Sequence, residues 1–197
     1  MKENVLIIFT KNLIYGKVKT RLAASIGNSE ALKIYKGLIE HTHSVTEKIE
    51  CDKIIFYSKY IEKNDLWSKK YLKEKQHGNN LGERMNNAFN NVFEKKYSKA
   101  IIIGTDCPAL TEKVINDAFE KLNNYDVVIG PANDGGYYLL GMKKLHQQLF
   151  KNINWSTETV FDATINICNN LNLSYCLLPV LNDVDEEKDL QHLKLLQ

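Results

Sequence analysis

Four cations stand close together near the start of the chain: Lys11, Lys17, Lys19 and Arg21 fall within eleven residues and have no acid among them. They belong to the stretch Lys11 through Leu22, KNLIYGKVKTRL, which follows a short apolar run. Gly16 inside it lets backbone approach a ligand closely. Lys19 supplies a point charge and Arg21 a planar fork, both suited to phosphate oxygens. A basic loop this local fits a small anion better than a polymer. A merely solvated loop is the plain alternative, and the position after the first strand-like run favours the ligand. The stretch is neither a P-loop, GxxxxGK(S/T), nor a GxGxxG dinucleotide fingerprint, and neither pattern occurs elsewhere.

The acids that could answer those cations lie far along the chain. Gly104-Thr105-Asp106-Cys107-Pro108 sets a carboxylate at the end of an apolar run, a position suited to a hard metal ligand such as one for Mg²⁺. The alternative is a helix cap, for which Thr111 is better placed. Asp183-Val184-Asp185 offers two carboxylates that share a face when extended, a second metal anchor or else the acidic start of a last helix. In Gly130 through Tyr138, Asp134 stands beside Gly135, Gly136 and Tyr137. It could orient a hydroxyl or act as general base, although Asp-Gly is also a hairpin signal. Gly78-Asn79-Asn80-Leu81-Gly82-Glu83-Arg84 opens a helix, where backbone N–H groups can meet a base or phosphate. A simple turn, with Arg84 on the surface, is the other reading. Trp155 precedes a further helix and could stack on a ligand or fill the core, with Ser156 or Thr157 as cap.

Positioning these groups takes a scaffold. Apolar runs recur at Val5–Phe9, Ile54–Tyr57, Ala100–Ile103, Val127–Ile129, Tyr137–Leu140 and Tyr175–Leu178. They are continuous rather than alternating, which predicts strands covered on both faces. Between them lie helical stripes at 29–49, 81–93, 111–122, 157–171 and 186–196. Strands alternating with helices predict a three-layer α/β/α sandwich with a mainly parallel sheet, and no linker or repeat divides residues 1–197 into more than a single domain. Ligands of such sheets sit outside the carboxyl ends of the strands, where most of these candidate groups fall.

Composition sets outer limits. The 197 residues are 44% apolar and 25% charged, ordinary for a globular chain, and 26 Lys plus Arg against 24 Asp plus Glu leave a net charge of +2. That balance carries no footprint for nucleic acid. Cys51, Cys107, Cys168 and Cys176 form no CxxC and have no His at zinc spacing, so reduced, mostly buried thiols are expected. The first apolar run is too short for a signal peptide and no stretch is long enough for a membrane span, which predicts a cytoplasmic protein.

Taken in order, Lys11–Leu22, Gly78–Met85, Ile103–Leu110, Gly130–Gly141, Trp155–Thr157 and Asp183–Leu190 resemble the bacterial DUF2064 proteins, glycosyltransferase-like members of the nucleotide-diphospho-sugar transferase superfamily with a GT-A fold. The resemblance spans nearly the whole chain; one departure is Leu13, where the family usually has Pro. It implies that Lys11, Gly16, Lys19 and Arg21 hold phosphates and that Gly78, Leu81 and Gly82 meet the base. It implies further that Asp106, with Asp183 or Asp185, holds Mg²⁺ or Mn²⁺, and that Asp134, Gly135, Gly136, Tyr137 and Trp155 face a small-molecule acceptor. Two transfers fit. In glycosyl transfer to an acceptor hydroxyl, Asp134 would be the base; this reading stands slightly ahead because of the family. In nucleotidyl transfer of the guanylyltransferase kind, pyrophosphate leaves, and the basic loop favours that reaction. Catalysis in either case falls to Asp106, Asp134, Lys19 and Arg21. A non-catalytic nucleotide-sensing module on the same scaffold stays open, as does a homodimer.

Overall fold

The computed structural model describes residues 2–67 and 69–196. Seven strands form one sheet: β1 (Lys2–Thr10), β2 (Asp52–Tyr57), β3 (Tyr71–Lys75), β4 (Tyr97–Ile103), β5 (Val127–Pro131), β6 (Tyr137–Met142) and β7 (Tyr175–Leu177), in the order β3-β2-β1-β4-β6-β5-β7. The helices are α1 (Thr20–Ile26), α2 (Asn28–Glu47), α3 (Leu81–Glu94), α4 (Glu112–Lys121) and α5 (Val160–Asn170), with 3₁₀ segments at Gln147–Phe150 and Glu187–Leu196. Among these helices none is long and apolar enough to cross a membrane.

Strand periodicity divides the core into two layers. Val5, Ile7, Ile54, Phe56, Ala100 and Ile102 point to one face and meet Met85, Phe89 and Val92 of α3 and Cys168 of α5. Leu6, Ile8, Ile55, Ile101 and Ile103 point to the other and meet Leu22 of α1, Tyr35 and Leu38 of α2, and Ile115 and Ala118 of α4. The expected three layers and mainly parallel sheet are thus present. The continuous apolar character of the runs follows from burial on both faces. Ile7, fully buried and paired with both Ile54 and Ile102, is a position where truncation to Ala would cost about 2–5 kcal/mol.

The pairing departs from a uniform parallel sheet at one strand. β6 runs antiparallel to both β4 and β5, inserted between them. The loop from β5 to β6 is therefore a true hairpin connection, and its reversed partner brings that loop to the edge where β1 and β4 end.

Several expected boundaries shift. The stretch Lys11–Leu22 is loop only as far as Lys19; Thr20, Arg21 and Leu22 open α1, a seven-residue helix whose Leu22 is buried. The long helix ends at Glu47 rather than Ile49, and α5 begins at Val160, after Thr159, so neither Ser156 nor Thr157 is its cap. The expected helix near the end is 3₁₀. Thr111 does cap α4, its hydroxyl accepting from Val114 N at 3.3 Å. All four thiols are free, Cys107 and Cys168 buried and Cys51 and Cys176 half-buried.

Candidate active site

Outside the carboxyl ends of β1 and β4 the chain leaves an open cleft of about 1420 Å³. Its floor is built around Tyr35 of α2, which is 1% exposed. The Tyr35 hydroxyl accepts from Lys11 N at 2.8 Å and shares hydrogen bonds with Thr105 Oγ1 at 2.9 Å and Thr10 Oγ1 at 3.4 Å, joining the segments that follow β1 and β4. Burial, and then the nearby Asp106 charge, hold this phenol above its ordinary pKa, so it remains a neutral strut. Asn12 ties the same loop to residues 58–60, accepting from Lys59 N at 3.0 Å and donating to Tyr60 O at 2.9 Å.

Over the Tyr35 ring, 5.8 Å from its centroid, sits the Lys19 ammonium. The Lys19 side chain is 2% exposed, and its Nζ lies 2.5 Å from Asp106 Oδ1 and 2.9 Å from Asp185 Oδ1. The backbone there is left-handed, φ 46 and ψ 47, at the residue that caps α1. Such a conformation is uncommon for a non-glycine residue and persists only where surrounding contacts impose it. Burial alone would lower the lysine's pKa, but the two carboxylates outweigh it and hold the ammonium above its usual range. Burial alone would likewise raise Asp185, and Lys19 instead keeps it below the carboxylate norm.

At Asp183 burial first, then the charges of Asp106 and Asp134, push the carboxyl up to about 8; the Lys19 charge also lowers this pKa but is outweighed. Between the two acids Val184 is fully buried and its N–H donates to Asp106 O at 3.0 Å, which pins the 183–185 segment to the loop after β4. Burial, and then Asp183, push the neighbouring Cys107 thiol up to about 12, so it is not a nucleophile at neutral pH.

Beside the acidic 183–185 segment stands the hairpin loop, Asn133 N donating to Leu181 O at 3.1 Å. Asp134 Oδ1 accepts from Gly136 N at 2.9 Å and so closes its own turn. Gly135 has φ +83, and a Cβ there would run into the Glu158 carbonyl, so the turn packs directly on the approach to α5.

Lys11, Lys19, Arg21 and Leu81 line the cleft, as do Asp106, Asp183 and Asp185 of the acidic set and Asp134, Gly135, Gly136, Tyr137 and Trp155. Three expected contacts are not at its surface. Gly16 faces Asn28, Gly78 packs on the first turn of α3 with Glu83 Cβ and Arg84 N at 2.7 and 2.8 Å from where its own Cβ would be, and Gly82 is the seat of the Trp155 indole. At 78 and 82 glycine answers packing, while Gly16 has φ +69 and only ordinary contact with Asn28. Cleft residues not proposed as site residues from sequence include Tyr35, whose apolar-stripe position hides its hydroxyl; Gln76, 9% exposed with Nε2 donating to Phe56 O at 2.8 Å; and Arg84, whose Nε donates to Gly78 O at 3.0 Å. The basic character of Arg84 beside two glycines was the one signal available.

A sheet of this topology, with cations and carboxylates gathered beyond β1 and β4, defines an α/β protein with a charged cleft outside its strand ends. The chain belongs to the DUF2064 family, described as uncharacterized protein conserved in bacteria, whose model matches residues 41–157. It is similar to 2-phospho-L-lactate guanylyltransferase of Methanocaldococcus fervens, 26% identical over 133 residues, covering 64% of this chain and 56% of that protein. The match thus spans about half of that relative's length. Among solved structures, a protein of Desulfovibrio desulfuricans G20 provisionally named a nucleotide-diphospho-sugar transferase is 31% identical, with TM-score 0.87, covering 94% of this chain and 84% of that one. A manganese complex of Rv0371c from Mycobacterium tuberculosis H37Rv shares the fold at TM-score 0.54 and 10% identity, covering 98% of each chain.

Proposed function

We propose that this chain is a nucleotidyltransferase: an acceptor oxygen attacks the α-phosphorus of a nucleoside triphosphate, a new P–O bond forms, the bond between the α-phosphorus and the bridging oxygen breaks, and pyrophosphate leaves. The observation that carries this is the set of cations lining the cleft, Lys11, Lys19, Arg21 and Arg84, together with the carboxylates of Asp106, Asp183 and Asp185, two of which hold the Lys19 ammonium. A triphosphate and a departing pyrophosphate need more counter-charge than a diphosphate. The guanylyltransferase name of the Methanocaldococcus relative points the same way. This reverses the order in which sequence reasoning ranked the two transfers.

The residues fit a hard divalent cation, Mg²⁺ or Mn²⁺, in donor chemistry: the carboxylate oxygens are of the right kind. Asp106 Oδ1 is buried without a hydrogen bond of ordinary geometry, and the Lys19 ammonium already stands there as a cation. Among the described residues no three acidic, His or Cys side chains are yet gathered closely enough to hold an ion between them. Asp106 with Asp183 or Asp185 would hold the metal, which when bound supplies charge neutralisation on phosphate oxygens. The rest is positioning and electrostatics by the chain itself. Lys11 and Arg21 draw the phosphates to the β1 side, Tyr35 keeps the floor rigid, and Asp134 with Tyr137 and Trp155 line the side left for a small-molecule acceptor.

A second reading, glycosyl transfer from a nucleotide-sugar with Asp134 as base, is favoured by the Desulfovibrio neighbour, which matches nearly all of this chain. Thermal denaturation with each nucleoside triphosphate and a panel of nucleotide-sugars, with and without Mn²⁺, separates the two. Stabilisation by a triphosphate, followed by pyrophosphate release on adding acceptors, is expected; at about a hundredfold excess over Kd a ligand stabilises by roughly 2.7 kcal/mol. Stabilisation by nucleotide-sugars alone, with nucleoside diphosphate as product, would replace this reading with the second.

A further inference from the structure

From the position of Lys19 we infer that this lysine is an internal counter-ion that keeps the cation site closed until nucleotide phosphates draw it away, so that metal and nucleotide bind with strong positive coupling. The inference rests on the nucleotide reading above and concerns the order in which that site is filled.

The ammonium and a divalent cation need the same oxygens. Lys19 Nζ is 2.5 Å from Asp106 Oδ1 and 2.9 Å from Asp185 Oδ1, and its side chain is 2% exposed. Tyr35 closes the space beneath it, held by hydrogen bonds to Lys11 N and Thr105 Oγ1. A metal entering this site without nucleotide would place two positive charges within a few ångströms of each other in a poorly solvated place. It would otherwise have to expel the ammonium from both carboxylates and leave it buried without a partner, which is strongly unfavourable. The carboxylates are not similarly locked. Asp106 Oδ1 is itself buried, whereas the Asp106 and Asp185 side chains as wholes are 32% and 44% exposed and both line the cleft.

Phosphates change the balance by giving the ammonium another anion. Lys19 lines the same cleft as Lys11 and Arg21, so a polyphosphate held by those two lies within the reach of a flexible four-carbon side chain. Once Lys19 turns to the phosphate, Asp106 and Asp185 are left with unneutralised charge, and the cation takes their oxygens together with the ligand's. Coupling of this kind is reciprocal: nucleotide must raise metal affinity by the same factor that metal raises nucleotide affinity.

The test is Mn²⁺ binding to the full chain, followed by the electron paramagnetic resonance signal of free Mn²⁺ or by calorimetry, with and without GTP, CTP, ATP or UTP. In the unaltered protein, Mn²⁺ alone should bind weakly, and a nucleotide that binds should raise its affinity by roughly 5- to 150-fold, the usual span of such coupling. Lys19→Met should bind Mn²⁺ alone more tightly than the unaltered protein, with the coupling to nucleotide lost. Equal Mn²⁺ affinity with and without a bound nucleotide in the unaltered protein overturns the inference and needs no variant. Unchanged metal-only affinity in a folded Lys19→Met does the same. Should that variant unfold, Asp185→Asn, which frees one side of the ammonium and keeps Asp106, should show reduced coupling; full coupling there counts against the inference. If no nucleotide binds with or without Mn²⁺, the nucleotide reading falls, while the two metal-only titrations still decide whether Lys19 closes the site.

Discussion

Lys19 and Lys53 make an instructive pair. Both are buried, at 5% and 9% exposure, and each ammonium sits over a tyrosine ring, 5.8 Å from Tyr35 and 5.7 Å from Tyr71. Their partners differ in kind. Lys53, near the amino end of β2, donates to the Ile49 and Cys51 carbonyls at 2.6 and 3.3 Å, neutral backbone groups that go nowhere. Lys19, beyond the carboxyl end of β1, is held by two ionised side chains that also face an open cleft. A buried lysine is therefore not by itself a mark of chemistry. What marks it is a partner that carries charge and that a ligand can reach.

The contrast can be broken most sharply by removing each ammonium in turn. Lys19→Met should lower kcat/KM for nucleotidyl transfer by about 10²–10³-fold, the scale of losing one preorganised charge contact. Lys53→Met should leave the folded fraction's activity intact. Comparable losses from both would erase the distinction. In chemical denaturation the ranking should invert in character: Lys53→Met leaves the Ile49 and Cys51 carbonyls short of a donor and should cost about 1–3 kcal/mol of stability, with no change in nucleotide affinity.

The tyrosines beneath sharpen the same point more gently. Tyr35→Phe removes a hydroxyl that holds Lys11 N and Thr105, so it should cost about 1 kcal/mol and also weaken nucleotide binding. Tyr71→Phe removes only the bond with Thr46 Oγ1 at 3.1 Å, and calorimetric nucleotide titrations should not register it. The smallest effect concerns Asp183. Its carboxyl is raised to about 8, so between the ordinary carboxylate range and that value the folded chain keeps a proton that the unfolded chain has released. Metal-free stability should therefore be fully present below the ordinary range and fall as pH rises toward 8. Asp183→Asn should flatten that slope in melting curves taken with a chelator; an identical slope would show that another group is responsible.

Much of the scaffold was readable from pattern. Five of the seven strands announce themselves as apolar runs because both faces of the sheet are covered there. Strand β7 does so although it is an edge strand with Leu177 half exposed, and the stripes of α2, α3 and α4 stand out because each buries one face. The missed strand, β3, reads Tyr-Leu-Lys-Glu-Lys: it lies at the edge of the sheet with Leu72 half exposed, so it has little apolar content to display. Helix α1 was missed because it is short and begins at a left-handed lysine with no side-chain cap, leaving no local start signal. The glycines at 16, 78 and 82 do not line the cleft, and Gly16 stands at φ +69. Glycine reports that backbone or a neighbour comes close, and sequence does not say whether that neighbour is a ligand or, as at Gly82, the indole of Trp155.

By itself the sequence determined the layered α/β architecture, the residue types gathered beyond the strand ends, and the concentration of basic residues ahead of α1, since these depend on local periodicity and composition. Only the tertiary structure decided that Lys19 spans Asp106 and Asp185, the latter 166 residues away, that β6 enters the sheet reversed, and that Gly78 and Gly82 pack against the start of α3 and the Trp155 indole while Leu81 lines the cleft. Strand pairing and loop convergence are long-range choices, set by the packing of a whole sheet between two helical layers, and no window of neighbouring residues contains the groups that compete in them.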